Sequence, residues 1–395
     1  MSNKDVVVVS YARTPFGKLG GGLKSLQAVD LGAHAIKSAL EKIELDPKKV
    51  DYVYMGQVLQ AGAGQQPARQ ATIKAGLSWE TPAILVNKVC SSGIIAIQQG
   101  MMRIKLGMSD IVVAGGMESM SNAPYALKDM RFGARMLDKN VVDLMVHDGL
   151  WCPFYDRHMA IHGSEVAEEY SVSREEQDKF ALRSQQLAIK AMKEGKLKGQ
   201  ISPVEIKDRK GRVTLIEEDE APRANASLED MAKLPPVFSK EGSVTAGNAP
   251  GVNDGAAAVV LMSREKAEEL GLEILATIID YAEVSQEAKY IATVPGLSTK
   301  KLLEKNNMTV DQIDYFEVNE AFAAVPLVSQ QIAGYDLEKT NVFGGAVAFG
   351  HPIGATGARI VMNLIEVLKQ KGGKYGVAAI CSGAAQGDAL LLKVE

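Results

Sequence analysis

Little in this sequence suits cross-linking, membrane insertion or polyanion binding. Three cysteines in 395 residues make no disulfide framework, and a reduced setting fits them best. No apolar run approaches the length of a transmembrane helix. Positive charge is not in excess: 44 Lys and Arg stand against 48 Asp and Glu, for a net charge of −4. That balance speaks against nucleic acid or an anionic membrane surface as the main partner. Met1 to Asp5 shows no signal-peptide profile, and Leu390 to Glu395 carries no peroxisomal address. Together these absences lead us to expect a cytoplasmic protein.

Signatures of nucleotide and metal chemistry are missing too. Gly345 to Gly350 has the spacing of a phosphate-cradling loop, but His351-Pro352 stands where Lys and Ser/Thr are required. Gly62-Ala-Gly-Gln-Gln-Pro67 lacks the third glycine of a dinucleotide fingerprint. His158 and His162 have the spacing of a helical metal pair without an H-E-x-x-H context, so no metal is expected.

What the chain does have is apolar mass, 46% of its residues, in a length sufficient for two or three domains. It is also duplicated. Leu40 to Tyr52 matches Leu303 to Tyr315 at constant register; Gly93 then matches Gly357 and Val112 matches Val377, the offset growing by one residue each time. A helix, a strand, a glycine-started helix and a second strand thus recur in order. The expectation is an α/β fold of two similar halves in a layered sheet–helix arrangement. The first half takes residues 1–120 and 245–271, and the second residues 272–395. Residues 121–244, richer in Met, Arg, Asp and Lys, read as an inserted lid or substrate-binding domain. Its long helix, Ser173 to Met192, opens on a Ser cap with Glu176 three residues later.

Three residues carry chemistry. His351 sits on a glycine-punctuated loop, Asn341 to Arg359, that feeds a helix starting near Gly357. Such loops bring backbone N–H groups close to a ligand. Cys90 follows a strand-like run ending near Asn87 and precedes a helix, where the helix field is expected to lower the thiol pKa. A lone cysteine is more often a small buried apolar residue. Cys381 shifts that balance, because it too ends a strand beside glycines and lies opposite Gly116 in the duplication. A thiol nucleophile, an imidazole base and a second thiol suit acyl transfer. A Cys–His–Cys metal site fits poorly, since no paired-ligand spacing surrounds the three.

At this point the sequence resembles the thiolase family along essentially its whole length. The matching stretches are Arg13 to Gly17, Gly56 to Gly64, Asn87 to Gly93, Gly115 to Ser121, Ala246 to Ala249, Asn253 to Ala258, Asn319 to Ala323 and Gly350 to Arg359. The resemblance implies that Cys90 carries the acyl group and that His351 activates it. Cys381 would exchange the α-proton. Asn319 would hold a water that completes one oxyanion hole with His351, and the N–H groups of Cys90 and Gly383 would form a second. Coenzyme A would be substrate and product, with no further cofactor.

The same resemblance implies a reversible joining of two acetyl-CoA into acetoacetyl-CoA through an acetyl-cysteine. Asp148 to Met159 is similar to the segment of short-chain members, with His158 and Met159 lining the acyl and pantetheine site. Leu150, Ala246, Gly247 and Pro250 would lie along the CoA path, Phe322 in the pocket wall, and Arg223 at the nucleotide end. The rivals are a degradative thiolase of broader chain length, and a thiolase-like carrier or subunit of an acyl-transfer complex. A homo-oligomer, dimer or tetramer, is implied. Tyr125 to Leu144, with Lys128, Arg131, Arg135 and Lys139, would serve tetramer contacts, the CoA phosphates or simply a solvated face. The sequence departs from the family at Ala160 to Glu165, at Pro250, which replaces a serine that commonly bonds pantetheine, and at Ser382 to Gly387, where a glycine run is usual.

Overall fold

A computed structural model describes residues 5–395. At its centre is the strand Val6–Arg13, every residue of which is buried. Its apolar run suits a strand covered on both faces. On one side it pairs antiparallel with Asn253–Ser263. On the other it touches Ala276–Ser285 over a short register, from Val6 opposite Ile278 to Val8 opposite Ala276.

Two matching wings grow from this junction. Beyond Asn253–Ser263 come Ile111–Ser119, Tyr52–Gly56 and Ala83–Val86; beyond Ala276–Ser285 come Gln386–Lys393, Tyr375–Ser382 and Tyr315–Val318. In each wing the first two pairings are antiparallel and the third is parallel. Even an irregularity is duplicated: the register slips between Val8 and Ser10 in one wing and between Ile278 and Asp280 in the other. The long excursion of residues 120–252 joins Ile111–Ser119 to Asn253–Ser263. In the other wing the equivalent strands are joined by the tight turn around Gly383 to Ala385.

Two helices, Ser92–Lys105 and Thr356–Lys371, pack on each other and are enclosed by side chains from both wings, including Val112, Val259, Ile380 and Leu390. They cross at the duplicated glycines. A methyl group placed on Gly357 would lie 2.3 Å from the Ile94 nitrogen, and one on Gly93 2.7 Å from the Ala358 nitrogen. No real side-chain carbon tolerates such contacts, so glycine is required at both positions. The outer faces carry Ala28–Glu41 and Pro67–Lys74 on one wing, and Val294–Lys305 and Ala324–Ala333 on the other.

Within the excursion, helix Arg174–Lys193 begins with the expected reciprocal cap. Ser173 Oγ accepts from Glu176 N at 3.2 Å, and the Glu176 carboxylate accepts from Ser173 N at 2.7 Å. Among the described residues, no helix is long and apolar enough to cross a membrane.

Candidate active site

Cys90 lies between the strand Ala83–Val86 and the helix Ser92–Lys105, as its sequence context suggested. The chain reverses at Val89, whose φ of +47° is rare for a β-branched residue. The turn is held by its own side chains. Asn87 Oδ1 accepts from Val89 N at 3.0 Å, and Ser92 Oγ donates to Val89 O at 2.6 Å while accepting from Lys88 N at 2.9 Å. Lys88 then reaches across to the second wing, pairing with the buried Asp388 at 2.7 Å.

The expectation of a lowered Cys90 thiol is overturned. Burial pushes it up to about 12, although the N–H groups of Cys90 and Gly383 both face the sulfur and favour the thiolate. Removing a charge from water outweighs two oriented dipoles here. Cys90 therefore rests as a thiol and needs a base. Cys381, at the end of Tyr375–Ser382, is also fully buried, and its thiol is pushed up first by that burial and then by its proximity to Cys90.

The base is prepared by its neighbours. His351 N donates to Asn253 Oδ1 at 3.0 Å. Gly350, at φ +96°, packs directly beneath: a methyl group there would lie 2.3 Å from Asn253 Cγ. His351 Nδ1 is 2.7 Å from Thr356 Oγ1, which itself donates to Pro352 O at 2.9 Å. The hydroxyl proton is thus used, so Nδ1 carries the hydrogen and donates to Thr356. Nε2 is then the bare nitrogen, and it is buried without a hydrogen-bond partner among the described residues. Burial, with help from Arg359, holds the imidazole down to about 3, so it is neutral and able to accept a proton.

Asn319 follows the strand Tyr315–Val318 and is fixed through its backbone to Ala379 O at 2.9 Å. Both polar atoms of its side chain are buried and unpartnered among the described residues. After Cys381 the chain makes its turn with Ala384 at φ +62° and Ala385 at φ +49°. The left-handed backbone that glycine usually supplies is thus kept by alanine, at a cost of roughly 1–2 kcal/mol per residue.

Cys90 and His351 open on one apolar cavity of about 280 Å³. Leu150, His158, Met159, Ala246, Pro250 and Phe322 also line it, so most of the expected substrate residues converge there. His158 caps helix Met159–Glu169, its Nδ1 accepting from Ala160 N at 3.1 Å, and burial holds its ring down to about 4. His162 instead faces Arg157, with Nδ1 and the guanidinium 3.2 Å apart. Gly163 leaves room for Phe322, whose ring would meet a methyl group there at 2.8 Å.

Five expected residues stand apart from the wall, Asn319 and Cys381 among them, both fully buried. Gly247 packs against Leu234 and Met231 of the excursion. Arg223 is exposed, its backbone N–H donating to Gln185 Oε1 at 2.8 Å. Gly383 lies just behind, against Val89 and 3.6 Å from Met159 Sδ if given a methyl group.

Sequence reasoning missed several contributors. Met120 and Ile353 line the cavity, and both fall inside or beside stretches already singled out for other residues. Phe238 closes one side by stacking on His158, with ring centroids 3.6 Å apart and an 8° interplanar angle. Its only sequence signal was its place after the Pro235-Pro236 loop. Thr356, which sets the tautomer of His351, lay in plain view in the loop.

Comparison with known proteins gives a consistent result. Residues 6–265 match the model of the thiolase N-terminal domain, and residues 272–394 that of the thiolase C-terminal domain. An acetyl-CoA acetyltransferase of Cupriavidus necator is 48% identical, with 98% of this chain and 99% of that protein aligned. One of Pseudomonas aeruginosa is 46% identical over the same shares of the two chains. The crystal structure of the Bacillus anthracis acetyl-CoA acetyltransferase superposes with a TM-score of 0.97 at 40% identity, covering all of both chains.

Proposed function

The chain belongs to the thiolase family, and on that premise we propose that it is an acetyl-CoA C-acetyltransferase, an acyltransferase that interconverts two acetyl-CoA with acetoacetyl-CoA and CoA. The observation that carries the reading is a bare His351 Nε2, without a hydrogen-bond partner among the described residues, on a ring that lines the same cavity as a protonated Cys90 thiol.

In the cleavage direction, His351 Nε2 takes the Cys90 proton and the sulfur attacks the 3-keto carbon of acetoacetyl-CoA. The bond between C2 and C3 breaks, its electron pair goes to C2, and Cys381 supplies the proton that completes acetyl-CoA. A thiol kept protonated by burial suits that donor role. His351 then passes its proton to the Cys381 thiolate, which restores both groups. The acetyl group stays on Cys90 until the thiol of CoA displaces it, its proton passing to His351 and from there to the departing Cys90 sulfur. In this scheme the N–H groups of Cys90 and Gly383, which face the sulfur, would stabilise the oxyanion of the adduct formed on it, each such donor being worth roughly 3 kcal/mol. Asn319, with two unpartnered polar atoms, suits the water-holding role at the second oxyanion. Met159 and Phe322 limit the acyl pocket, Pro250 and Phe238 offer the pantetheine arm an apolar wall, and Arg223 is left for the nucleotide end.

Intact-protein mass after brief exposure to acetoacetyl-CoA, 3-oxohexanoyl-CoA or 3-oxooctanoyl-CoA, without added CoA, tests the assignment. An acetyl adduct on Cys90 from the first substrate alone is expected. Adducts from all three would move the assignment to a degradative thiolase of broad chain length. No adduct at all, or adducts that persist in Cys90→Ser, would leave a carrier or complex-dependent subunit.

The molecule is a homo-oligomer in this reading, and the free thiols suit a reduced, cytoplasmic setting. Phe132, Met136 and Leu137 are 86%, 77% and 86% exposed on one segment of the excursion, where basic residues had drawn attention first. Apolar side chains so exposed on adjacent turns fit a self-association face. Light scattering should show a smaller assembly for Phe132→Asp with Leu137→Asp than for the parent; an unchanged mass would remove this segment from the interface.

A further inference from the structure

Glu118 is fully buried, lies within the matched stretch Gly115 to Ser121, and has no part in the scheme above. Its Oε2 accepts from Gly354 N at 2.9 Å and Val58 N at 3.0 Å, and its Oε1 accepts from Leu59 N at 3.1 Å. Gly354 lies in the turn, Ile353 to Ala355, that follows His351-Pro352, and Ile353 before it lines the cavity. The carboxylate therefore ties the base-bearing loop of the second wing to a turn of the first.

The seat of that loop is built for close approach. Methyl groups placed on Gly116, Gly56 and Gly93 would lie 1.9, 2.9 and 3.1 Å from Gly354 O. One on Gly354 would lie 2.8 Å from Glu118 Oε2. Three glycines thus make a socket for one peptide, and Glu118 is its polar floor. The duplication sharpens the point. Gly116 is equivalent to Cys381, so Glu118 is equivalent to Gly383, whose N–H faces the Cys90 sulfur. In each wing the same place, at the end of the same strand, meets the other wing's reacting loop.

We propose that Glu118 is a positioning residue, which by gripping Gly354 across the wing boundary sets the His351 imidazole over Cys90. The proposal rests on the acyl-transfer reading. Protonating Glu118 would turn an acceptor into a donor and release a backbone N–H, loosening the grip. Burial pushes this carboxyl up to about 7; the three N–H groups oppose that and Asp254 adds to it. Cys90 is a further titratable group acted on by its charge, and His351 sits on the gripped loop.

The test compares the full-length parent with Glu118→Gln, which keeps the shape but sets an NH2 against a backbone N–H. Acylation by acetoacetyl-CoA is followed by mass between about pH 5.5 and 9, alongside iodoacetamide alkylation of Cys90. For the parent, acylation should fall as pH drops through about 7. Acylation of the variant should be slower by about tenfold or more, with no inflection near neutrality, and Cys90 alkylation, which draws on the same base, should slow with it. Acylation within about twofold of the parent, a retained inflection, or alkylation as fast as in the parent would overturn the proposal. If Glu118→Gln does not fold, the parent profile decides, and a flat profile through neutrality overturns it. A parent that is not acylated at all refutes the acyl-transfer reading instead, whereas an active parent with an indifferent variant refutes only the role of Glu118.

Discussion

A histidine that must accept a proton from a thiol of high pKa has to be neutral and bare at the right nitrogen. His351 meets both conditions for separable reasons. Burial keeps the ring neutral, and Thr356, by giving its own proton to Pro352 O, obliges Nδ1 to hold the hydrogen. Thr356→Val would remove that acceptor while keeping the volume. We expect kcat to fall by about tenfold, the equivalent of one hydrogen bond of about 1.4 kcal/mol, with KM little changed. A Thr356→Ser variant should recover most of the loss. Equal kcat for Thr356→Val and the parent would mean that the tautomer is set elsewhere.

At the scale of elements, the site depends on two helices approaching more closely than side chains allow. Ser92–Lys105 presents Cys90, and Thr356–Lys371 follows His351, so their crossing at Gly93 and Gly357 brings thiol and imidazole to one cavity. Backbone meets backbone there, and neither partner can rotate away. Gly93→Ala or Gly357→Ala should destabilise by about 3 kcal/mol or more in denaturant unfolding, at the upper end of overpacking costs. Gly107, at φ +70° with nothing within 4 Å, is the control. Alanine there meets only backbone strain, and about 1 kcal/mol is expected. If the Gly93 and Gly107 variants lose equally, the close crossing is not the reason for glycine at Gly93.

For the whole molecule, buried titratable groups shape stability against pH from both sides. His351 and His158, held down to about 3 and about 4, are neutral when folded but take a proton when unfolded below their ordinary value of 6.5. Their contribution is present above that value and is lost as pH falls through it. Glu317, pushed up to about 8 by burial against the opposing pull of Arg359, is protonated when folded below that pH, and the Cys90 and Cys381 thiols stay protonated beyond it. Unfolding frees these protons once pH exceeds the ordinary values, so their contribution is lost as pH rises. Thermal unfolding should therefore show its highest midpoint near neutrality, falling by a few degrees on either side. A midpoint still rising above about pH 9 would contradict the assignment of the two thiols as protonated.

Much of this was legible in the chain. The duplication was visible because both halves keep the same local order of helix, strand and glycine-started helix, and the positions of Cys90, Cys381 and His351 at element ends followed from hydrophobic pattern and glycine placement. Those are local properties, written in neighbouring residues. The state of the Cys90 thiol was misread, because helix-end fields are local while desolvation depends on everything packed around a sulfur. The same limit hid Phe238, which reaches His158 only after the excursion folds back, and the role of Glu118, whose three hydrogen bonds span the distance from Val58 to Gly354. Sequence by itself determined the elements, their repetition and the reactive residue types. Tertiary structure alone decided which nitrogen of His351 is bare, which thiols stay protonated and how one half holds the other's loop, because burial and hydrogen bonding between distant segments exist only once the wings have closed on each other.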